Sequence, residues 1–169
     1  MESKKILYDN EWLSLIDSDG YIYSHEVKGD GKKVAILVVD SQNPGKVLGR
    51  YENTPAHGDG IQLASITGTV EDDDPLSTAV METDEEAGFF VDEDELIELG
   101  IVRPSKSADT TCYLYAVDVA GKTQHEPEGD GSSGEQGAYV KWISAQDAVE
   151  CKDPLMSVML MRYALMQEK

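Results

Sequence analysis

Basic residues are scarce in this chain: 14 Lys and Arg stand against 33 Asp and Glu, a formal net charge of −19. A surface so negative repels phosphate backbones and anionic bilayers, which argues against nucleic-acid and membrane partners. Cysteine is scarcer still. Cys112 and Cys151 alone make neither a disulfide framework nor a thiolate zinc cluster, so a reducing, cytoplasmic setting is expected. No apolar run approaches the roughly 18–20 residues that span a bilayer, and residues 1–6 lack the apolar core of a secretion signal. A local absence is more telling. Residues 51–102 contain no Lys or Arg, yet 15 Asp and Glu fall there. Solvated surface accounts for some of these, and a saline habitat would also select them. Where several carboxylates must sit together, a divalent cation is the usual compensation.

What is present fits one domain over residues 1–169, with 40% apolar and 28% charged residues. Alternation and β-branched content predict a meander at residues 5–8, 11–17 and 21–27, then a buried strand at 34–39. Further strands are expected at 46–51, 61–67, 96–102, 111–119 and 138–143. The segment 120–137 holds five glycines and reads as a long mobile loop. Ser144 caps a short helix through Val149, and Pro154 opens a last helix to about Gln167. Strands with helices set between and after them make the class α+β.

Between Thr67 and Phe89 the punctuation is unusually full. Asp74 can cap a helix, Pro75 suits its first position and Gly88 its left-handed end. On that helix Glu82, Glu85 and Glu86 stand at i, i+3 and i+4 and share one face. They occupy the last turn, where the macrodipole already disfavours negative charge. A solvated acidic helix end and a site for Mg²⁺ or Mn²⁺ both answer to that pattern; the flanking Gly68 and Gly88 favour the second. A calcium module built on Glu71 and Asp72–Asp74 is a weaker alternative, since the ligand spacing of a helix–loop–helix site is missing.

Gly68, Asp74, Glu82, Glu85, Glu86, Gly88 and Phe89 together resemble the signature box of the Nudix hydrolases. That box runs from a glycine through an acid to Arg-Glu-x-x-Glu-Glu-x-Gly and an apolar residue. Two departures are plain: Met81 stands in the arginine position, and the stretch from Asp74 to Met81 is one residue short. The order of strands and the two final helices are similar to the family's α/β/α sandwich with a mixed central sheet. Pro104, fifteen residues after Phe89, and the closing pattern from Ser144 onward are similar to the ADP-ribose pyrophosphatase branch. Residues 62–67 lack the Glu and Pro-Ala which that branch often shows.

The resemblance implies a metal-dependent hydrolase of a nucleoside diphosphate linked to another group, with an ADP-ribose-like substrate favoured and Mg²⁺ or Mn²⁺ as cofactor. It implies Glu82 and Glu86 as principal ligands, Glu85 as a further ligand or catalytic water-orienting group, and the Thr67 carbonyl as another ligand. A general base is expected from the loop before the last strand: Glu135, with Glu126 and Glu128 as alternatives. In the family the box arginine pairs with the earlier acid and orients the carboxylates. Its replacement by Met81 keeps open a second reading, a weak or inactive Nudix-fold binding or structural protein. Arg50, Tyr51, Arg103 and Pro104 are the candidate substrate contacts, since arginine suits phosphate and tyrosine can stack on a base. An ordinary surface arginine and strand tyrosine are the plain alternative. His25, His57 and His125 show no partner spacing, Cys112 reads as a buried thiol, and Trp12 and Trp142 as core. Relatives that pair through N-terminal strands, here within residues 1–28, and a last helix apolar nearly all round make a homodimer the expected state.

Overall fold

The computed structural model describes residues 4–129 and 137–168. Strands β1 (Lys4–Asp9), β2 (Leu13–Ser18) and β3 (Tyr21–Glu26) pair in that order as a small antiparallel sheet. A second sheet contains β4 (Lys32–Val39), β5 (Lys46–Asn53), β6 (Ile61–Ala64), β7 (Ile66–Thr69), β8 (Ile97–Val102), β9 (Thr111–Asp118) and β10 (Tyr139–Ser144). Its order is β10-β5-β4-β9-β8, with β6 on β5 and β7 on β4. Only β4 and β9 run parallel among these pairs, so the sheet is mixed.

Strand β4 sits at the centre, and Val34–Val39 are buried without interruption, as a strand covered on both faces requires. Helix α1 (Pro75–Ala87) covers one face, where Val34, Ile36, Val38, Leu48, Ile66 and Phe89 form a core. Helices α2 (Ala145–Glu150) and α3 (Pro154–Gln167) cover the other, over Leu37, Val47, Leu114, Met156 and Met159. The result is the expected α/β/α sandwich.

Two details depart from the sequence reading. The strand expected over 61–67 is divided at Ser65, because β6 follows β5 while β7 crosses to β4. At the fork the Ser65 N–H donates to Asp153 Oδ2 (2.7 Å), the same side chain that caps α3 through Leu155 N–H (2.9 Å). Trp12, expected in the core, lies in the bend between β1 and β2 and is 65% exposed. Among the described residues no α-helix lies across the small sheet: it hangs on the main body through Ser24 and the 106–109 segment, by Ser24 N–H to Ser107 O (2.9 Å) and Asp109 N–H to Ser24 O (3.1 Å). Trp142 is partly buried against the α1-side core.

Candidate active site

Helix α1 begins and ends where the residue types demand. Asp74 Oδ1 accepts from the Leu76 and Ser77 N–H groups (3.1 Å each), Pro75 is first, and Gly88 takes φ +75° beyond the last turn. The final carbonyls, which no helix can satisfy internally, are all met. Gly88 N–H donates to Asp84 O (3.0 Å), Gly129 N–H to Glu85 O (3.0 Å), Arg50 Nη1 to Glu86 O (3.4 Å) and Gln124 Nε2 to Ala87 O (2.8 Å). His125 closes the end: its N–H donates to Gly88 O (2.9 Å), its Nε2 meets Asp84 Oδ1 (2.7 Å), and its ring stacks on Phe90. The carbonyl of Glu126, then Asp84, raise the pKa of His125, so a cation is favoured beside the negative helix terminus. Nothing in the spacing of the 120–129 segment, which lacks periodicity, signals this docking.

The outward face of the last turns looks onto strand β7 across a cleft of about 380 Å³, lined by Thr67, Gly68, Thr69, Met81, Glu82, Glu85 and Glu86 among others. Gly68 is there because a Cβ at that position would overlap the Glu82 carboxylate, which lies flat on the strand. Strand alternation and helix periodicity thus bring Thr67, Glu82, Glu85 and Glu86 to one place. Lys28, on the connection before β4, also lines the cleft and pairs with Glu71 (2.8 Å).

Glu86 is the most constrained of the group. It is buried, its Oε2 accepts from Thr67 N–H (3.2 Å), and its Oε1 lies 3.3 Å from Arg50 Nη2. Burial pushes its carboxyl up to about 8; Glu82 and Glu52 push the same way, and Arg50 and the Thr67 N–H oppose them without prevailing. Glu82 and Glu85 are half-buried beside it.

The candidate substrate contacts fall in three places. Arg50 and Tyr51, adjacent on β5, point to opposite faces by the period of two. Arg50 faces α1 and is 2% exposed, while Tyr51 faces the α2/α3 side and stacks on Tyr139 at 4.9 Å. Arg103 borders a separate groove with Tyr21, Tyr23 and Lys106, and Pro104 is exposed beside it. Glu126 and Glu128 border a hollow next to Arg50. Glu135 lies outside the described residues. Cys112 is buried and its thiol is pushed up to about 12 by that burial, which suits packing rather than nucleophilic attack.

The donor set of the cleft suits a hard divalent cation: three carboxylates on one wall, one of them in surroundings that disfavour its charge until a cation offsets it, and a glycine that leaves room for Glu82. Among the described residues no three such side chains are drawn around a single point as in a formed centre. Among those residues, too, no helix is long and apolar enough to cross a membrane.

No family model and no curated protein matches the chain. Among solved structures it is similar to a crystal structure of an ADP compounds hydrolase, with a TM-score of 0.67 and 14% identity over 98% of this chain and 93% of that one. The likeness is one of fold alone, a mixed α+β architecture.

Proposed function

We propose that the protein is a metal-dependent hydrolase of a nucleoside diphosphate linked to another group, an ADP-ribose-like compound being the favoured substrate. The observation that carries this reading is that Glu82, Glu85 and Glu86 line one cleft together with Thr67 and Gly68 of strand β7. The description of the structural neighbour as an ADP compounds hydrolase agrees with it. Glu82 and Glu86 are the residues that would hold Mg²⁺ or Mn²⁺, with Glu85 and the Thr67 carbonyl as further ligands. Once bound, such an ion supplies charge neutralisation at the pyrophosphate and acidifies water. Glu85 then orients the attacking water, and Glu135 is the proposed general base. Lys28, the basic residue lining the cleft, offers an ammonium to a phosphate oxygen. Arg103 and Pro104 are proposed substrate contacts from their own groove.

The protein is proposed to act as a homodimer. Ile6, Tyr8 and Trp12 are each more than half exposed on the small sheet, an apolar surface suited to a second copy. Substituting Trp12→Ser with Ile6→Glu shifts the mass measured by light scattering from dimer to monomer; an unchanged mass removes that surface from the account. A cytoplasmic setting suits the free thiols of Cys112 and Cys151.

A second reading, a Nudix-fold binding or structural protein without turnover, is favoured by one observation: Met81 presents an apolar, 48% exposed side chain at the rim of the cleft. Incubating ADP-ribose and other nucleoside diphosphate derivatives with and without Mg²⁺ or Mn²⁺ separates the two. The hydrolase releases AMP and ribose phosphate only with metal. Absence of turnover across the panel, with metal binding intact, establishes the second reading.

A further inference from the structure

We infer that Arg50 is a positioning residue, which from strand β5 holds the Glu86 carboxylate in the orientation that meets a divalent cation. The inference rests on the hydrolase reading above and assigns a role within the same site. Helix α1, from Pro75 to Ala87, contains no Lys or Arg, so none of its carboxylates has a cation on its own element. The neighbouring strand provides one. Arg50 grips Glu86 at two points, Nη2 to Oε1 at 3.3 Å and Nη1 to the main-chain oxygen at 3.4 Å, which fixes the side chain relative to its own backbone. Its Nε donates to Glu52 Oε2 (2.9 Å), so the guanidinium is braced from behind. Thr67 N–H takes the other oxygen of Glu86 at 3.2 Å. Each carboxylate oxygen retains acceptor capacity beyond one such contact, and Glu86 lines the cleft.

A guanidinium 2% exposed is poorly placed to greet a substrate phosphate. The hollow it borders is also lined by Glu126 and Glu128, whose charges disfavour an anion there. Burying an arginine is costly unless it is paired, and Glu86 and Glu52 are both partners of this one.

The test measures Mn²⁺ affinity without substrate, by the electron paramagnetic resonance of the free ion, together with kcat and KM for ADP-ribose. Wild type, Arg50→Met and Arg50→Lys are compared, with circular dichroism to confirm folding. Arg50→Met is expected to lose about 10- to 100-fold in Mn²⁺ affinity, with kcat falling and KM close to wild type, and Arg50→Lys to fall between. Unchanged Mn²⁺ affinity with a raised KM overturns the inference in favour of a phosphate contact. Tightened Mn²⁺ binding overturns it too, because Arg50 then competes with the ion. If Arg50→Met does not fold, Glu52→Ala weakens Mn²⁺ binding more than Glu52→Gln, which keeps an acceptor for Nε; affinities equal to wild type in both overturn the inference. A wild type that binds no Mn²⁺ sinks the hydrolase reading itself, a result distinct from failure of Arg50 alone.

Discussion

Glu86 and Glu95 stand nine residues apart in the same stretch without Lys or Arg, yet the fold drives their carboxyls in opposite directions. Glu95 lies in the surface turn after α1. Lys122 reaches it at 2.8 Å and the Asp92 N–H at 2.8 Å, and these two, in that order, hold its pKa below the usual carboxylate range. Glu86 has an arginine too, but burial outweighs it, and Glu82 and Glu52 add their repulsion. The surface acid is a structural cap and stays charged. The cleft acid is kept in a place that disfavours its charge, which is the arrangement a bound cation relieves.

Glu82→Gln or Glu86→Gln lowers metal-dependent turnover of ADP-ribose by about 100-fold or more, since even groups that support metal ligands are worth 10- to 100-fold; Glu95→Gln leaves it near wild type. Steady-state assays of the three variants decide this, and equal rates would remove the assignment.

The two acids also differ in their dependence on pH. Without metal, folded Glu86 keeps its proton to about 8 while the unfolded chain releases it near the ordinary value of 4.5. The folded state therefore binds more protons across that window, and stability falls as pH rises through it. At about 1.4 kcal/mol for each pH step across that window, the loss amounts to a few kcal/mol. Glu95 acts with the opposite sign: its contribution is present above the ordinary carboxylate range and is lost as pH falls through its lowered pKa. Thermal melts in chelator between pH 5 and 8 should show a downward slope that Glu86→Gln flattens and Glu95→Gln does not.

Gly68→Ala comes next. Its Cβ overlaps Glu82, and the overpacking costs about 1–3 kcal/mol along with weaker Mg²⁺ binding; denaturant melts and a Mg²⁺ titration of the same variant read both. Asp74→Ala is smallest, about 1 kcal/mol for a lost cap, visible as a lowered melting temperature with turnover retained.

Much of the site is local in sequence and could be read there. Asp74, Pro75, Gly88 and the spacing of Glu82, Glu85 and Glu86 all belong to one helix and its ends, where periodicity and capping chemistry suffice. The core strand over Val34–Val39 was equally legible from its apolar run. The remainder depends on pairing between distant segments. Ser65 carries no turn signal, and the division of its strand follows from β5 and β4 diverging. Arg50 is an exposed residue by type, and its burial on β5 comes from contacts with segments distant in sequence, α1 among them. Alternation alone does separate Arg50 from Tyr51, a step the grouping of both as substrate contacts overlooks. Gln124 and His125 sit in a segment with no period to read, and Trp12 is apolar by type but lies on a sheet that no α-helix among the described residues covers.

The most direct measurement is a calorimetric titration of Mg²⁺ into the folded protein at pH 8, with wild type, Glu82→Gln, Glu86→Gln and Glu95→Gln side by side. Saturable binding in wild type and Glu95→Gln, lost in the two cleft variants, is the predicted result. No uptake by wild type, or the same uptake by all four, would contradict the account.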